Sequence, residues 1–288
     1  MATSTKTQLV FDLLPNETPF FRSRRGNFTL YCGDSLKLLA AMPDECVDLI
    51  FADPPYFLSN GGITCHAGKM VSVNKGDWDK SEGVDENHAF NSNWLGQCQR
   101  ILRRDGTIWV SGTSHVIHSV GFALQQLGFK LLNDITWYKR NAPPNLSCRY
   151  FTHSTETVIW AAKSTKSKHV FNYAEMRSQA NGKQMRNLWL FDDAPEEDGS
   201  KFPEDVWQIG APNAREKVLG KHPTQKPLAL LRRIIEASSL TDQVVLDPFN
   251  GSGTTGIAAV DLGRRYIGID ADRDFLNLSR MRFEQVER

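Results

Sequence analysis

The chain has 288 residues, 40% of them hydrophobic and 23% charged, an ordinary composition for a globular protein. Its formal net charge of +1 does not decide whether it binds nucleic acid, because basic and acidic residues can be segregated on a surface. Five scattered cysteines without a CxxC pair argue against a disulfide framework and a thiolate zinc site. No apolar run approaches the length of a membrane span, and no secretory signal is evident. We therefore expect a cytoplasmic protein without a metal or a membrane segment.

Strand-like apolar runs alternate with helix-like patterns along the chain. The predicted strands are residues 28–34, 47–56, 107–112, 135–140, 157–163, 244–253 and 265–272. The predicted helices are residues 35–42, 90–102, 119–128 and 227–239, with a further helix-like stretch, TTGIAAVDLG, between the last two strands. This alternation predicts an α/β fold with a mostly parallel sheet and helices on both faces. Two segments, 57–88 and 164–220, lack it and are predicted to be long loops.

Four of these strands end in polar residues, at the edge where parallel sheets bind ligands. The segment DPFNGSGTTG places Gly251, Gly253 and Gly256 in the G-x-G-x-x-G spacing, and Asp270 ends the next strand. Such a turn lets the backbone approach a ligand at a helix N-terminus. Alone, the pattern fits a nicotinamide-dependent oxidoreductase and equally a structural turn.

The position of the glycine turn in the chain is unusual. It lies near the C-terminal end, whereas a nucleotide-binding fingerprint normally follows the first strand of its domain. Strands from the N-terminal half must therefore complete the sheet. We expect the 28–34 strand beside the Asp270 strand, followed by the strand that ends in DPPY (53–56). In that order the strand ends read DPFNGSG, GID, CGD and DPPY.

Together, DPPY, HPTQKP (222–227) and DPFNGSGTTG (247–256) resemble the motifs of the β-class DNA amino-methyltransferases, which use S-adenosylmethionine. ADPPYFLSNGGI, KGDWDK and NLSCRYFTHSTET are similar to the DpnA-type adenine-N6 methyltransferases of restriction-modification systems, which act on GATC. The resemblance implies a single, circularly permuted Rossmann-like methyltransferase domain over residues 1–288. In it, residues 28–163 form the catalytic half, 164–220 a DNA-recognition insertion and 221–288 the cofactor-binding half.

The DPPY motif suits methyl transfer to an exocyclic amine, which is a poor nucleophile because its lone pair is conjugated into the ring. The Asp53 carboxylate and the Pro54 carbonyl can accept hydrogen bonds from N6–H, and the Pro54–Pro55 pair fixes a stiff turn. Tyr56 offers a flat face on which an extruded base can stack. For DPPY alone, a strand that ends in a Pro-Pro turn is an adequate structural explanation.

The resemblance also implies a cofactor site. Asp270 would hold the ribose hydroxyls, and Asp34, which can also cap the following helix, would accept from the adenine amino group. Thr224 and Lys226 suit the methionine carboxylate, because a hydroxyl and a cation both bind that group. The complete predicted set is Asp34, Ser35, Thr224, Lys226, Pro227, Asp247, Phe249, Asn250, Gly251, Ser252, Gly253, Thr254 and Asp270.

DNA contacts are expected from residues 141–220 and from the 57–88 segment. Arginine reads guanine, and asparagine reads adenine, by paired hydrogen bonds in the major groove, although the arginines could equally contact phosphates. The predicted DNA-binding residues are Arg140, Asn145, Arg149 and Tyr150.

Three alternatives stay open at this stage. A cytosine-N4 methyltransferase needs the same chemistry, but more often has Ser than Asp at the position of Asp53. A nicotinamide-dependent oxidoreductase leaves DPPY and HPTQKP unexplained, and a DNA-binding module without activity needs neither.

Methylation of single-stranded DNA is plausible because an unpaired adenine avoids the cost of base flipping. The resemblance also implies that a homodimer and a functional pairing with a restriction endonuclease are possible.

Overall fold

The computed structural model describes residues 13–59, 63–66, 69–72, 79–139, 144–145, 147–190, 207–208, 212, 219–220 and 224–287. Within these residues the chain forms a ten-stranded mixed sheet and a separate two-stranded hairpin. The strands of the sheet are β1 (Phe21–Arg22), β2 (Phe28–Cys32), β3 (Val47–Ala52), β6 (Leu102–Gly112), β7 (Lys130–Tyr138), β8 (Thr155–Ala162), β9 (Leu188–Leu190), β10 (Trp207–Gln208), β11 (Val244–Asp247) and β12 (Arg265–Asp270). The hairpin consists of β4 (Ile63–His66) and β5 (Lys69–Ser72).

Helices cover both faces of this sheet. They are α1 (Ser35–Ala41), α2 (Val84–Ile101), α3 (Ile117–Gln126), α4 (Tyr173–Gln179), α5 (Leu228–Ser238), α6 (Thr254–Asp261) and α7 (Arg273–Glu287). One hydrophobic cluster joins α1, α2 and α3 to the sheet, and a second joins α5, α6 and α7 to the opposite face. Ile50 belongs to the first cluster and Leu49 to the second, because successive side chains of a strand point to opposite faces. No helix in the described part of the chain is long and apolar enough to cross a membrane.

The strand order is β1-β2-β12-β11-β3-β6-β8-β7-β9-β10, with β2, β12, β11, β3 and β6 mutually parallel. β2 lies beside β12, as predicted. The predicted position of the DPPY strand next to β2 is wrong, because β3 pairs with β11, in the register Val245 to Leu49. The outer edge of β2 is occupied by the antiparallel β1. The backbone N–H and C=O groups of the buried strand β3 need partners on both edges, and they pair with β11 and β6.

This order creates a topological switch point between β11 and β3. From β11 the connections lead through α6 to β12 on one side, whereas from β3 they lead through α2 to β6 on the other. Sheets of this kind bind ligands in the crevice outside the carboxyl ends of the strands at such a point. The crevice lies between the end of DPPY and the end of the glycine-turn strand.

Two predicted loops contain regular structure. In the 57–88 segment the chain forms the β4–β5 hairpin, and α2 already begins at Val84, with acidic residues in its first turn. The 164–220 segment contains α4, β9 and β10, and β9 continues the main sheet beside β7. These elements are too short or too polar to show a clear hydrophobic period in the sequence.

Candidate active site

A cavity of about 460 Å³ occupies the switch point. It brings together most of the residues predicted for the site, namely Asp34, Ser35, Asp53, Pro55, Thr224, Lys226, Asp247, Phe249, Asn250, Gly251, Ser252, Thr254 and Asp270. Aromatic side chains supply the apolar part of the lining, and Phe249 packs edge-on against Trp94 with 5.4 Å between ring centroids. Such a mixture of apolar walls and few polar groups is typical of a small-molecule site.

The glycine turn between β11 and α6 depends on left-handed backbone. Gly251 has a φ of 49° and Gly253 a φ of 73°, both in the region that favours glycine. A Cβ atom on Gly253 would lie 2.0 Å from Oγ of Ser279 on α7, so this position has no room for a side chain. The backbone N–H of Gly251 donates to Oδ2 of Asp270 at 2.7 Å. The turn and the acid of the next strand are thus held together at one end of the cavity.

Two carboxylates at this end have perturbed pKa values. Asp247 is 2% exposed, and its burial raises its pKa to about 7, although Thr255 Oγ1 at 2.6 Å and the N–H of Phe249 at 3.0 Å donate to it. Burial also raises the pKa of Asp270. At neutral pH, Asp247 therefore lies close to its midpoint of ionisation.

Asp34 and Ser35 connect α1 to the cavity. The Asp34 carboxylate accepts from the backbone N–H of Lys37 at 2.9 Å, which confirms its predicted role as N-cap of α1. The hydroxyl of Ser35 donates to the carbonyl oxygen of Pro248 at 2.5 Å. This contact fixes the start of α1 against the loop that follows β11.

Asp53 lies at the centre of a buried hydrogen-bond network beyond the end of β3. Its Oδ1 atom accepts from the hydroxyls of Ser111 at 2.6 Å and Tyr56 at 2.7 Å. Its Oδ2 atom accepts from Nζ of Lys226 at 2.5 Å. Glu156 lies behind Lys226, with Oε2 at 3.9 Å from Nζ. Both oxygens of the predicted catalytic carboxylate therefore have protein partners.

The charges of this network stabilise one another. Burial alone would raise the pKa of Asp53, but the adjacent Lys226 ammonium and the donated hydrogen bonds outweigh it and lower that pKa. Burial likewise opposes the charge of Lys226, but Asp53 and Glu156 raise its pKa. Asp53 is consequently an anion and Lys226 a cation at neutral pH. The ammonium of Lys226 is directed at Asp53, so it does not form a free cationic site for the methionine carboxylate.

The DPPY turn is anchored by Asp79, a fully buried residue from the KGDWDK segment. Its Oδ1 atom accepts from the backbone N–H groups of Tyr56 and Phe57, each at 2.8 Å. Its Oδ2 atom accepts from the N–H of Leu58 at 3.2 Å and from the hydroxyl of Ser59 at 2.9 Å. Phe57 has a φ of 57°, an unusual conformation for a residue with a side chain, which this set of hydrogen bonds maintains.

Several predicted residues lie near the cavity without lining it. Pro54 belongs to the DPPY turn, Pro227 is the N-cap of α5, and Gly253 is the N-cap of α6. Tyr56 is only 5% exposed, because its hydroxyl is bound to Asp53 and its ring lies 5.5 Å from Nζ of Lys226. The open stacking face predicted for Tyr56 is therefore absent in this conformation.

The predicted DNA-binding residues lie in the connection between β7 and β8, except Arg140, which lies outside the described residues. Arg149 and Tyr150 are exposed. The Asn145 side chain is engaged within this loop, where Oδ1 accepts from the N–H of Ser147 at 3.0 Å and Nδ2 donates to the carbonyl of Tyr150 at 2.6 Å. In this conformation Asn145 shapes the loop, and its amide is not free for a base.

Three residues of the site escaped the sequence-based prediction of roles. Ser111 lies on β6 and Glu156 on β8, and each meets Asp53 or its partner Lys226 only after folding. Their signal in the sequence was a buried polar position within a strand pattern. Asp79 stood in a motif that carried the resemblance, but its spacing gives no indication that it binds the DPPY turn.

Similarity to solved structures defines the class of protein. The fold is shared with M1.HpyAVI in its complex with SAM, at a TM-score of 0.60 and 25% identity, covering 88% of this chain and 98% of that chain. It is also shared with the cytosine-N4-specific PvuII DNA methyltransferase, at a TM-score of 0.69 and 20% identity, covering 93% of this chain and 89% of that one. The chain thus has the fold of the S-adenosylmethionine-dependent methyltransferases, which confirms the predicted fold class.

Similarity in sequence defines the family. The type II methyltransferase M2.DpnII of Streptococcus pneumoniae is 49% identical over 267 residues, which cover 92% of each protein. M2.LlaDCHI of Lactococcus lactis subsp. cremoris is 50% identical over 260 residues, which cover 90% of each. The DNA methylase family model matches residues 47–281. The chain belongs to this DNA methylase family and is a DNA methyltransferase, as the motifs predicted.

S-adenosylmethionine, the methyl donor of this enzyme, fits the cavity chemically. The donor carries positive charges on its sulfonium and its amino group. Acidic side chains outnumber basic ones in the described lining, which includes Asp34, Asp247 and Asp270, and the buried ammonium of Lys226 is neutralised by Asp53. A cationic ligand therefore meets a lining of complementary charge.

Proposed function

We propose that this enzyme methylates N6 of adenine within GATC sequences, in duplex DNA and also in single strands. The observation that carries the proposal is the Asp53 carboxylate, which is fixed by three donors at the edge of the cofactor cavity. An anionic acceptor at this place can bind N6–H and favour a tetrahedral amine. An aspartate at this position also favours adenine over the cytosine-N4 alternative, and the DpnA-like motifs around it support GATC.

The proposed chemistry is a direct displacement. S-adenosylmethionine supplies a methyl group made electrophilic by its sulfonium. The lone pair of N6 forms the new N–C bond as the S–C bond breaks, the electron pair of that bond remains on sulfur, and N6 then releases one proton. Asp53 and the Pro54 carbonyl orient the amine, so their contribution is positioning and charge stabilisation. The products are N6-methyladenine and S-adenosylhomocysteine.

The roles proposed for the cofactor residues are those that the family resemblance implies, and the presence of these residues in one cavity supports them. We assign Asp270 to the ribose hydroxyls, Asp34 to the adenine amino group of the cofactor, and Asp247 with the Gly251 turn to the methionine moiety. Thr224 supplies a hydroxyl for the methionine carboxylate. Lys226 lines the same cavity, but its ammonium is bound by Asp53, so we propose that it acts mainly on that carboxylate.

The wider function is that of the modification enzyme of a restriction-modification system. DNA contacts come from the β7–β8 connection, including Arg149 and Tyr150, and from the insertion 164–220. A cytoplasmic location follows from a substrate that is cellular DNA. A homodimer and a functional pairing with a restriction endonuclease complete the proposal, which rests here on the family and the type II designation of M2.DpnII.

The test uses purified protein, S-adenosylmethionine and matched oligonucleotides, duplex or single-stranded, with or without one GATC. Nucleosides are identified by mass spectrometry, and Asp53→Ala serves as the inactive control. We expect N6-methyladenine only in oligonucleotides that contain GATC. N4-methylcytosine would overturn the base assignment, equal methylation without GATC would overturn the specificity, and activity confined to duplexes would overturn the single-strand claim.

A further inference from the structure

The catalytic carboxylate of Asp53 shares a buried space with two other charged groups. Lys226, Asp53 and Glu156 have side chains that are only 7%, 13% and 10% exposed. Lys226 lies between the two acids, with Nζ at 2.5 Å from Oδ2 of Asp53 and 3.9 Å from Oε2 of Glu156. An ammonium buried to this extent is stable only while a carboxylate remains beside it.

The arrangement conflicts with the role of Asp53 as acceptor for a substrate amine. Oδ1 already accepts two hydroxyl hydrogen bonds, and Oδ2 accepts from the Lys226 ammonium, which is a stronger donor than a neutral amine. Oδ2 could accept a second hydrogen bond, but while it holds the ammonium it is a weaker acceptor for N6–H and a weaker base. N6–H therefore binds Oδ2 most strongly if Lys226 withdraws. In withdrawing, Lys226 must find a second acceptor, because an unpaired ammonium in this place would be strongly destabilised.

Glu156 provides that acceptor. Its Oε2 atom is buried and makes no hydrogen bond to the described residues, whereas Oε1 is occupied by Nζ of Lys139. A displacement of Lys226 Nζ by roughly 1 Å would convert the 3.9 Å separation into a hydrogen bond of ordinary length. Buried acceptors without a partner are rare in folded proteins, so this one calls for an explanation.

We infer that Lys226 is a positioning residue whose ammonium alternates between two acceptors. It binds Oδ2 of Asp53 before the target amine binds, and Oε2 of Glu156 once the amine has bound. The inference rests on the proposed function, in which Asp53 accepts N6–H. Withdrawal of the ammonium makes Asp53 more basic at the step that needs it. Oδ2 then accepts the proton that N6 releases after the N–C bond has formed, and passes it to solvent when product leaves.

Glu156→Gln tests whether Glu156 is the second acceptor for Lys226, because the substitution keeps the shape of the side chain and removes its charge. We expect the single-turnover methylation rate to fall about 10-fold to 100-fold through misplacement of the amine. The dissociation constants for S-adenosylmethionine and DNA should remain unchanged. Glu45→Gln is the matched control, since it removes a carboxylate from the surface pair with Lys163 at 3.0 Å.

The pH profile separates positioning from a merely structural effect. In Glu156→Gln, Lys226 stays bound to Asp53 and keeps the pKa of that carboxyl low. The acidic limb of the pH–rate profile should therefore move to lower pH, while the maximum rate falls. With Lys226→Met the limb should move to higher pH, and Lys226→Arg should restore part of the rate. The other carboxylate that acts on Lys226 is Asp247, and Tyr56 faces Asp53, so both stay unchanged in these variants.

Three results would overturn the inference. One is an unchanged rate and an unchanged acidic limb in Glu156→Gln. Another is the same loss and shift in Lys139→Gln, which would assign the effect to the pair on Oε1. The third is a loss of S-adenosylmethionine affinity in Lys226→Met at an unaltered rate, which would return Lys226 to the cofactor. A wild-type enzyme that forms no N6-methyladenine would instead refute the proposed function, so the two failures are distinguishable.

Discussion

Asp79→Asn is expected to slow methylation far more than it weakens cofactor binding. Asp79 is fully buried and accepts four hydrogen bonds, three from backbone N–H groups of the DPPY turn and one from Ser59. An asparagine can place its oxygen where Oδ1 was, opposite Tyr56 and Phe57. Its NH₂ group would then face the N–H of Leu58, donor against donor.

The magnitude follows from these contacts. Two donors lose Oδ2, but the Ser59 hydroxyl can rotate to accept from the new NH₂ group, whereas the buried N–H of Leu58 is left without an acceptor. That costs about 1–3 kcal/mol, and the remaining bonds lose the contribution of the charge, about 1 kcal/mol. Part of this cost will appear as displacement of the turn that carries Asp53. Because misplacement by about 1 Å can cost 10²-fold in rate, we expect the turnover number to fall about 100-fold. The Gly251 turn and Asp270, at the other end of the cavity, make no contact with Asp79, so S-adenosylmethionine binding should weaken much less than the rate falls.

The assay combines single-turnover methylation of a GATC duplex, calorimetric titration of S-adenosylmethionine and thermal unfolding. Asp134→Asn, which alters an exposed aspartate on β7, is the matched control and should match the wild type in all three. A variant Asp79→Asn with a lowered melting temperature and a wild-type rate would refute the reasoning. Asp79 would then stabilise the fold without positioning the catalytic turn.

Two further predictions concern the cofactor end of the cavity. Since burial raises the pKa of Asp247 to about 7, its carboxylate is neutral below that pH and anionic above it. The Kd for the cationic S-adenosylmethionine should therefore decrease about tenfold from pH 6 to pH 8. Asp247→Asn should abolish this pH dependence. If the variant keeps it, another group is responsible. Gly253→Ala must adopt a φ of 73° and place Cβ 2.0 Å from Oγ of Ser279, whereas Gly26→Ala, at a φ of 67°, meets open space. Thermal unfolding should show Gly253→Ala less stable than Gly26→Ala by about 1–3 kcal/mol, and equal losses would contradict the close contact.

The sequence predicted the elements of the sheet better than their arrangement. All the predicted strands are present, because long apolar runs bounded by polar residues carry a strong local signal. The neighbour of β3 could not be deduced in the same way. It depends on which edge of β2 remains free, and the two residues of β1 that occupy this edge have no period to detect.

The cavity lining was largely predictable because it lies at strand ends and in motifs. The partners of those residues were not. Lys226 was assigned to the cofactor from its motif, yet its ammonium meets Asp53, which is 173 positions away in the chain. Ser111 and Glu156 approach from two further strands that pair antiparallel in the sheet. A network of this kind is determined by which strand ends become neighbours, and no local pattern in the sequence encodes it.

The position of the switch point explains why the order of the two halves in the chain does not affect the site. β3 and β11 pair in parallel although 196 residues separate Val245 from Leu49, so both strands end at the same edge of the sheet. Asp53 and Asp247 follow from those ends and line the same cavity. What the site requires is that one strand carries the amine acceptor, its neighbour carries the cofactor turn, and the crossover connections leave on opposite sides. That requirement is met by the pairing of β3 with β11, wherever the chain begins.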